Sequence, residues 1–399
     1  MTHPGGISPR RRRSRIASTA KNLAVSCLAA MIHFSGAAIL RRRLTRSKIP
    51  ILAYHSVSAP EGETPSCLDL TGMRVTPREF RRQMEYVARH YHTVTLGDVL
   101  RSRSGEAPLP PHPCVITFDD GYLDAYENAV PVLEELGLRA TFFVIGRPTA
   151  SRELPWLHAM YEILDSVSAA RCASAFHKAA PSFSTREGVT KQELCQQVRR
   201  YFDEQDRSTR ARFLCDVRAE LGNRVRRTFR FLKASQIRDL SERGFEIGCH
   251  SMEHEYLVRM SDEELLTDIR QCKDVLRRIL RRPPDAFCYP FGWDFDGRVI
   301  ETLRREGFVC ASTTIPGLND QSTHPFALHR IGVNTATSFP LFVFGLLGLE
   351  APLRRSYEFL ESAFKSDLRK IAVRVEPPME SRGSVSSDRI DGAPRGRAR

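Results

Sequence analysis

Acidic side chains are absent from the first 48 residues of this 399-residue chain, which hold eleven bases (Arg10 to Arg13, Arg15, Lys21, Arg41 to Arg43, Arg46 and Lys48). The chain totals 60 Lys and Arg against 47 Asp and Glu, so beyond this arm 49 bases face 47 acids, a surplus of two. A nucleic-acid reader carries its positive field on the folded body, which argues against nucleic acid as a partner. Long apolar runs are scarce as well. Only residues 23–40 reach the 18 or so that span a bilayer, so a polytopic membrane protein is excluded. Ser26, His33 and Ser35 interrupt that run, Gly36 weakens a helix there, and both flanks are positive. Arg41 to Arg43 stand where the small residues of a signal cleavage site would be. The segment reads as an amphipathic or partly buried helix, docked or in contact with a membrane surface, with an anchor or export signal as the alternative. None of the ten cysteines forms a CxxC pair or zinc-ribbon spacing. Several lie in apolar, strand-like runs, as Cys249 and Cys310 do, and read as reduced, packed thiols of a cytoplasmic protein. Internal repeats are lacking too, and 41% hydrophobic with 27% charged residues is an ordinary globular composition.

What the chain does have is a regular alternation of strand and helix patterns, which places it in the α/β class. Strands are expected at 49–53, 113–118, 140–145, 245–249, 286–289 and 309–313. Amphipathic helices are expected at 77–90, 122–136, 236–243, 262–280 and 298–306. Such alternation over more than 250 residues indicates a parallel (β/α) barrel or doubly wound sheet with right-handed crossovers. The predicted organisation is a basic N-terminal arm over 1–48 and a barrel over 49–345, interrupted by a helical insertion at about 147–231 that serves as lid or cap. A helical extension over 346–375 follows, then a Pro-, Gly-, Ser- and charge-rich tail over 376–399 that is expected to be disordered.

Barrel enzymes build their sites at the C-terminal ends of strands. Those ends carry Tyr54-His55, then Asp119-Asp120-Gly121, then His250-Ser251-Met252-Glu253-His254, then Pro290-Phe291-Gly292. Adjacent ionised carboxylates repel and need a cation or donors. A metal at Asp120 would relieve the repulsion and leave Asp119 free as a base. His250 and His254, four apart, share a face if the segment turns helically, which suits two imidazoles on one zinc-like ion. One Asp and two His leave coordination positions for water and substrate, as a catalytic site requires. The string His250-x-x-Glu253-His254 also fits the inverted zinc-peptidase motif, but here it follows a strand rather than lying within a long helix.

Together, Tyr54-His55-Ser56-Val57, Thr117-Phe118-Asp119-Asp120-Gly121, Ala140-Thr141-Phe142-Phe143, His250-Ser251-Met252-Glu253-His254, Tyr289-Pro290-Phe291-Gly292 and Leu328-His329-Arg330-Ile331 resemble the polysaccharide deacetylases, the NodB-homology group of carbohydrate esterases. The resemblance implies a distorted (β/α)7 barrel that removes N-acetyl groups from a polysaccharide or oligosaccharide. It implies Asp119 as general base, and Asp120, His250 and His254 as ligands of a divalent metal, zinc foremost, with cobalt, nickel or manganese as alternatives. It places the oxyanion against the backbone N–H of Phe291. His55 is the preferred general acid and His329 the alternative. Family members often carry an Arg two residues before the motif proline; this chain has Cys288 there, and Arg330 is the candidate to support the base instead. O-acetyl ester hydrolysis and an inactive carbohydrate-binding homologue are the alternatives to N-deacetylation.

Overall fold

The computed structural model describes residue 31 and residues 36–60 and 65–349, all within one compact unit, Met1–Ala351. The expected tail (376–399) and nearly all of the C-terminal extension lie outside the described residues. Ten strands run in chain order: β1 Ile51–Tyr54, β2 Ser56–Val57, β3 Arg74–Val75, β4 His92–Thr93, β5 Pro113–Phe118, β6 Thr141–Val144, β7 Glu246–Cys249, β8 Ala286–Cys288, β9 Cys310–Ser312 and β10 Ile331–Gly332. Seven form one parallel sheet in the order β10-β1-β5-β6-β7-β8-β9, with β4 added beside β5. The chain just ahead of β10 joins the two edges. Leu328 exchanges backbone hydrogen bonds with Ala311 and Thr313 beside β9, while Val333 donates to Ala53 of β1. The result is the expected distorted (β/α) barrel, closed between β9 and β1 by the 328–333 segment, with β2 and β3 paired in a separate two-stranded sheet.

Strand alternation divides the apolar side chains. Leu52, Tyr54, Ile116, Phe118, Phe142, Ile247, Phe287 and Ile331 pack outward in the main core, beneath the helices. Ile51, Val115, Phe143, Ala286, Cys288, Cys310 and Leu328 have the opposite parity and form a separate cluster that fills the barrel. Helix Leu96–Arg103 closes the floor, where the Glu246 carboxylate from inside the barrel accepts from the N–H groups of Leu96 (2.9 Å) and Gly97 (2.9 Å) and from Thr141 Oγ1 (2.6 Å).

Helices Pro77–His90 and Asp262–Leu280 span the expected residues; each starts on a capped hydroxyl, Thr76 or Ser261, with an acid at the third position. The expected helix over 122–136 is helical over 123–135, with a π segment, Ala125–Ala129, leading into Val130–Glu135. Between β6 and helix Ala234–Glu242, which leads into β7, lie five α-helices, Gly146–Ser151, Trp156–Ser166, Ala169–Ala179, Lys191–Asp203 and Arg207–Leu221. The latter four carry a hydrophobic core of their own, which reaches Tyr122 and Tyr256 at the rim of the barrel. At the N-terminal side, helix Ala37–Leu44 docks through Arg41 Nε on the Leu347 carbonyl (3.1 Å) and Arg42 on the Tyr86 hydroxyl (3.1 Å), while Ile39, Leu40 and Leu44 are exposed. No helix among the described residues is long and apolar enough to cross a membrane. Nine cysteines are described, all with free thiols and all but Cys215 buried.

Candidate active site

Asp119 continues the inward parity of Val115 and Thr117 and ends up 3% exposed at the top of the barrel. Its main counter-charge is Arg330, which reaches it from just ahead of β10. Arg330 Nη1 and Nη2 each lie 2.7 Å from one Asp119 oxygen, a bidentate pair. The rest of the guanidinium is held by the Thr313 carbonyl (2.6 Å) and Thr117 Oγ1 (3.2 Å), and Nη2 lies 3.1 Å from Cys288 Sγ. Burial alone would raise the Asp119 carboxyl, but the guanidinium outweighs it and holds the group below the usual carboxylate range.

Asp120 turns the chain out of the strand with φ +68°, followed by Gly121 at φ +76°. A regular strand would have sent the two acids to opposite faces; the left-handed backbone brings Asp120 round to the same mouth. Its Oδ1 lies 3.3 Å from His250 Nε2 and 3.4 Å from His254 Nε2. His250 continues the inward parity of Glu246 and Gly248, and its Nδ1 is 2.8 Å from the Cys288 carbonyl, which directs Nε2 toward Asp120.

The two histidines do not share a helical face, contrary to the expectation from their spacing. Residues 250–254 form a turn with Ser251 at φ +58° and His254 at φ +53°, closed by His254 N–H on Ser251 Oγ (2.8 Å). Buried Asp268 of helix Asp262–Leu280 accepts from the N–H groups of Met252 (2.9 Å) and Glu253 (3.0 Å) and fixes that turn. Glu253 pairs with Arg147 and Arg207, away from the histidines, so it is not placed as a peptidase base. Of the seven described non-glycine residues with positive φ, four belong to this mouth: Asp120, Ser251, His254 and Phe291. Each stores about 1–3 kcal/mol that the surrounding fold must hold in place.

The donor set fits a divalent cation. Both Asp120 oxygens are buried and meet no hydrogen-bond donor, and ligand atoms of Asp120, His250 and His254 lie within 4.8 Å of one another. Burial keeps His254 neutral, with its pKa down to about 3, the state in which imidazole is a ligand. For His250 burial also opposes charge, but neighbouring Cys288, Asp120 and Asp119 outweigh it and raise its pKa.

His55 stands between β1 and β2, 26% exposed, with Nε2 3.8 Å from Asp119 Oδ2. Its loop is pinned by Asp124, which accepts from Ser56 Oγ (2.6 Å) and Val57 N–H (3.2 Å). His329 is placed elsewhere. It alternates with inward-facing Leu328 and Arg330, so it turns outward against Gly317, with Asn319 holding its backbone N–H (2.8 Å) and carbonyl (2.8 Å). The same alternation that sends Arg330 to the base removes its neighbour from the site. Phe291 has φ +61°, in a turn closed by Gly292 N–H on the Tyr289 carbonyl (2.9 Å); a Cβ at Gly292 would collide with Thr314 at 2.1 Å. From the metal ligands an aromatic ladder leads outward: His254 to Phe291 (4.9 Å), Phe291 stacked on Tyr256 (4.2 Å), and Tyr256 to Trp293 (6.2 Å), which is 60% exposed.

Three residues at the site carried no sequence signal: Asp124, Asp268 and His158 of the insertion, whose Nε2 is 3.8 Å from Asp120 Oδ2. Asp124, four residues after Asp120 in chain order, had the nearest thing to a signal.

Comparison with known proteins agrees with this geometry. The polysaccharide deacetylase family model matches residues 106–311. The Bacillus subtilis protein YxkH, named among the polysaccharide deacetylases, is 22% identical over 298 residues, 74% of this chain and 75% of its own. In fold, the chain is similar to the Streptococcus pyogenes deacetylase PplD in complex with acetate (TM-score 0.50, 18% identity, 75% of this chain and 98% of that one). It is equally similar to IcaB from Ammonifex degensii (TM-score 0.50, 18% identity, 76% and 98%). With the matched segment covering half the chain and containing both the aspartate pair and the histidine turn, this chain belongs to the polysaccharide deacetylase family.

Proposed function

We propose that the protein is a metal-dependent glycan N-deacetylase, releasing acetate from N-acetylated sugars of a polysaccharide or oligosaccharide. One observation carries the reading: a buried carboxylate with two unpartnered oxygens faces two imidazoles, beside a second carboxylate held ionised by a guanidinium. Asp120, His250 and His254 hold the ion, which when bound supplies Lewis acidity and eases the ionisation of water. Zinc suits two imidazoles and one carboxylate.

Asp119 is the base. Its arginine pair keeps it ionised at neutral pH, ready to take a proton from the attacking water. As the acetyl carbonyl becomes tetrahedral, the Phe291 N–H donates to its oxygen. His55, at the exposed side of the same carboxylate, hands a proton to the sugar nitrogen, without which the amine does not leave. Exposed Trp293 offers an apolar ring on which the CH face of a sugar can lie, and the ladder behind it leads toward the reacting group.

Acetate release from N-acetylglucosamine oligomers, measured together with metal content, tests this reading. Wild-type protein is expected to bind about one zinc or cobalt ion and release acetate. Asp119→Asn should keep the metal and lose roughly 10³-fold or more in kcat, a general base contributing about 10²–10⁴. Equal acetate release by wild type and Asp119→Asn would remove the base from the scheme.

A further inference from the structure

The insertion sends one polar side chain into the back of the site. His158, in helix Trp156–Ser166, is fully buried, and its Nε2 lies 2.7 Å from Tyr122 Oη and 3.8 Å from Asp120 Oδ2. Phe229 and Phe231 each meet the ring edge-on at 5.1 Å, and the His254 ring lies 6.0 Å away. Nδ1 meets no partner. An unpaired buried nitrogen is costly, and the bond to Tyr122 Oη offsets that cost only in part. A polar ring kept here is there for what Nε2 faces.

The Asp120 carboxylate is divided between two sides. Oδ1 faces His250 and His254, and Oδ2 faces His158. In the tautomer with the ring proton on Nε2, which donates to Tyr122 Oη, the phenol proton is left over for Asp120. We propose that His158 and Tyr122 are positioning residues for the metal-ligating Asp120: they hold it by Oδ2, so that Oδ1 alone is presented to the ion. The insertion is then part of the metal centre's support as well as a cap, because a helix outside the repeating barrel units completes the surroundings of a ligand inside them. The inference rests on the metal-site reading above and deepens it.

Partners that orient a metal-ligating side chain typically contribute about 10–100-fold in affinity. The test is zinc titration of the full-length, chelator-stripped protein against a chromophoric competitor, with thermal melts of the metal-free forms. Tyr122→Phe deletes one oxygen and keeps the ring in its box. It is expected to weaken zinc binding about 10-fold, with the metal-free melting temperature lowered by loss of the bond to His158 Nε2. His158→Phe should weaken it by about 10–100-fold, and His158→Gln, which keeps a donor near the position of Nε2, should recover part of that loss. Asp120→Asn should abolish tight binding. Wild-type zinc affinity in both Tyr122→Phe and His158→Phe, with Asp120→Asn still deficient, would overturn the positioning role and leave the metal site standing. So would a drop in melting temperature with no change in affinity. Unchanged affinity in Asp120→Asn would overturn the metal site itself. Should His158→Phe fail to fold, Tyr122→Phe alone decides.

Discussion

Replacing Arg330 by methionine is the sharpest single test of how the base is kept ready. The substitution preserves much of the side-chain volume while removing the bidentate guanidinium from buried Asp119. Stripping one partner from a buried ion pair costs about 3–5 kcal/mol. At 1.36 kcal/mol per unit, that corresponds to a rise of about two to four units in the pKa of Asp119. In the native protein this carboxyl is depressed, so it contributes stability above the ordinary aspartate range that is lost as pH falls through its folded value. In Arg330→Met burial raises the Asp119 carboxyl instead, so the sign reverses and stability recovers as pH falls. The acid limb of kcat/KM should therefore move upward by about two to four pH units, so that the loss of activity is larger at pH 5 than at pH 8. Arg330→Lys should lie between, since an ammonium keeps the charge and cannot bond both oxygens in parallel. Because Arg330 Nη2 ends against Cys288 Sγ, the double variant Cys288→Arg, Arg330→Met can return a guanidinium to the vacated space and should recover part of the lost activity. Acetate release from pH 5 to 9, with thermal melts of each variant, provides the measurement. An unmoved acid limb at wild-type kcat in Arg330→Met would refute the claim that this guanidinium sets the state of the base.

Further outcomes can be checked separately. Trp293→Ala, at a site 60% exposed, should leave the melting temperature within error while raising KM for acetylated oligomers about 10-fold, or ~1.4 kcal/mol, at nearly constant kcat; unchanged steady-state kinetics would remove it from substrate binding. Glu246→Ala takes the acceptor from two amides and a hydroxyl at the barrel floor and should cost about 2–4 kcal/mol in urea unfolding, whereas a loss under about 0.5 would show that the floor helix holds without it. Burial pushes the Asp268 carboxyl up to about 7 against two amide donors, so native stability should fall as pH rises from about 4 through 7; in Asp268→Asn, measured metal-free, that part of the slope should vanish, and an identical slope would assign it to another group.

Much of this protein was readable from the order of its residues. A continuous apolar run defined strands such as Pro113–Phe118, and amphipathic spacing defined Pro77–His90 and Asp262–Leu280, because those signals are local. The polar residues following the strand ends were legible for a related reason: a parallel barrel gathers those ends at one mouth, so residues far apart in the chain become neighbours by topology. The tertiary structure decided what local patterns do not encode. Left-handed backbone at Asp120, Ser251 and His254, held by surrounding contacts, brings the ligands together where neither strand alternation nor a helical repeat would. Closure of the sheet through the 328–333 segment puts Arg330 onto Asp119 and sends His329 outward, a choice of face that depends on register between distant strands. The insertion read only as polar helices; its packing alone carries His158 to the far side of Asp120.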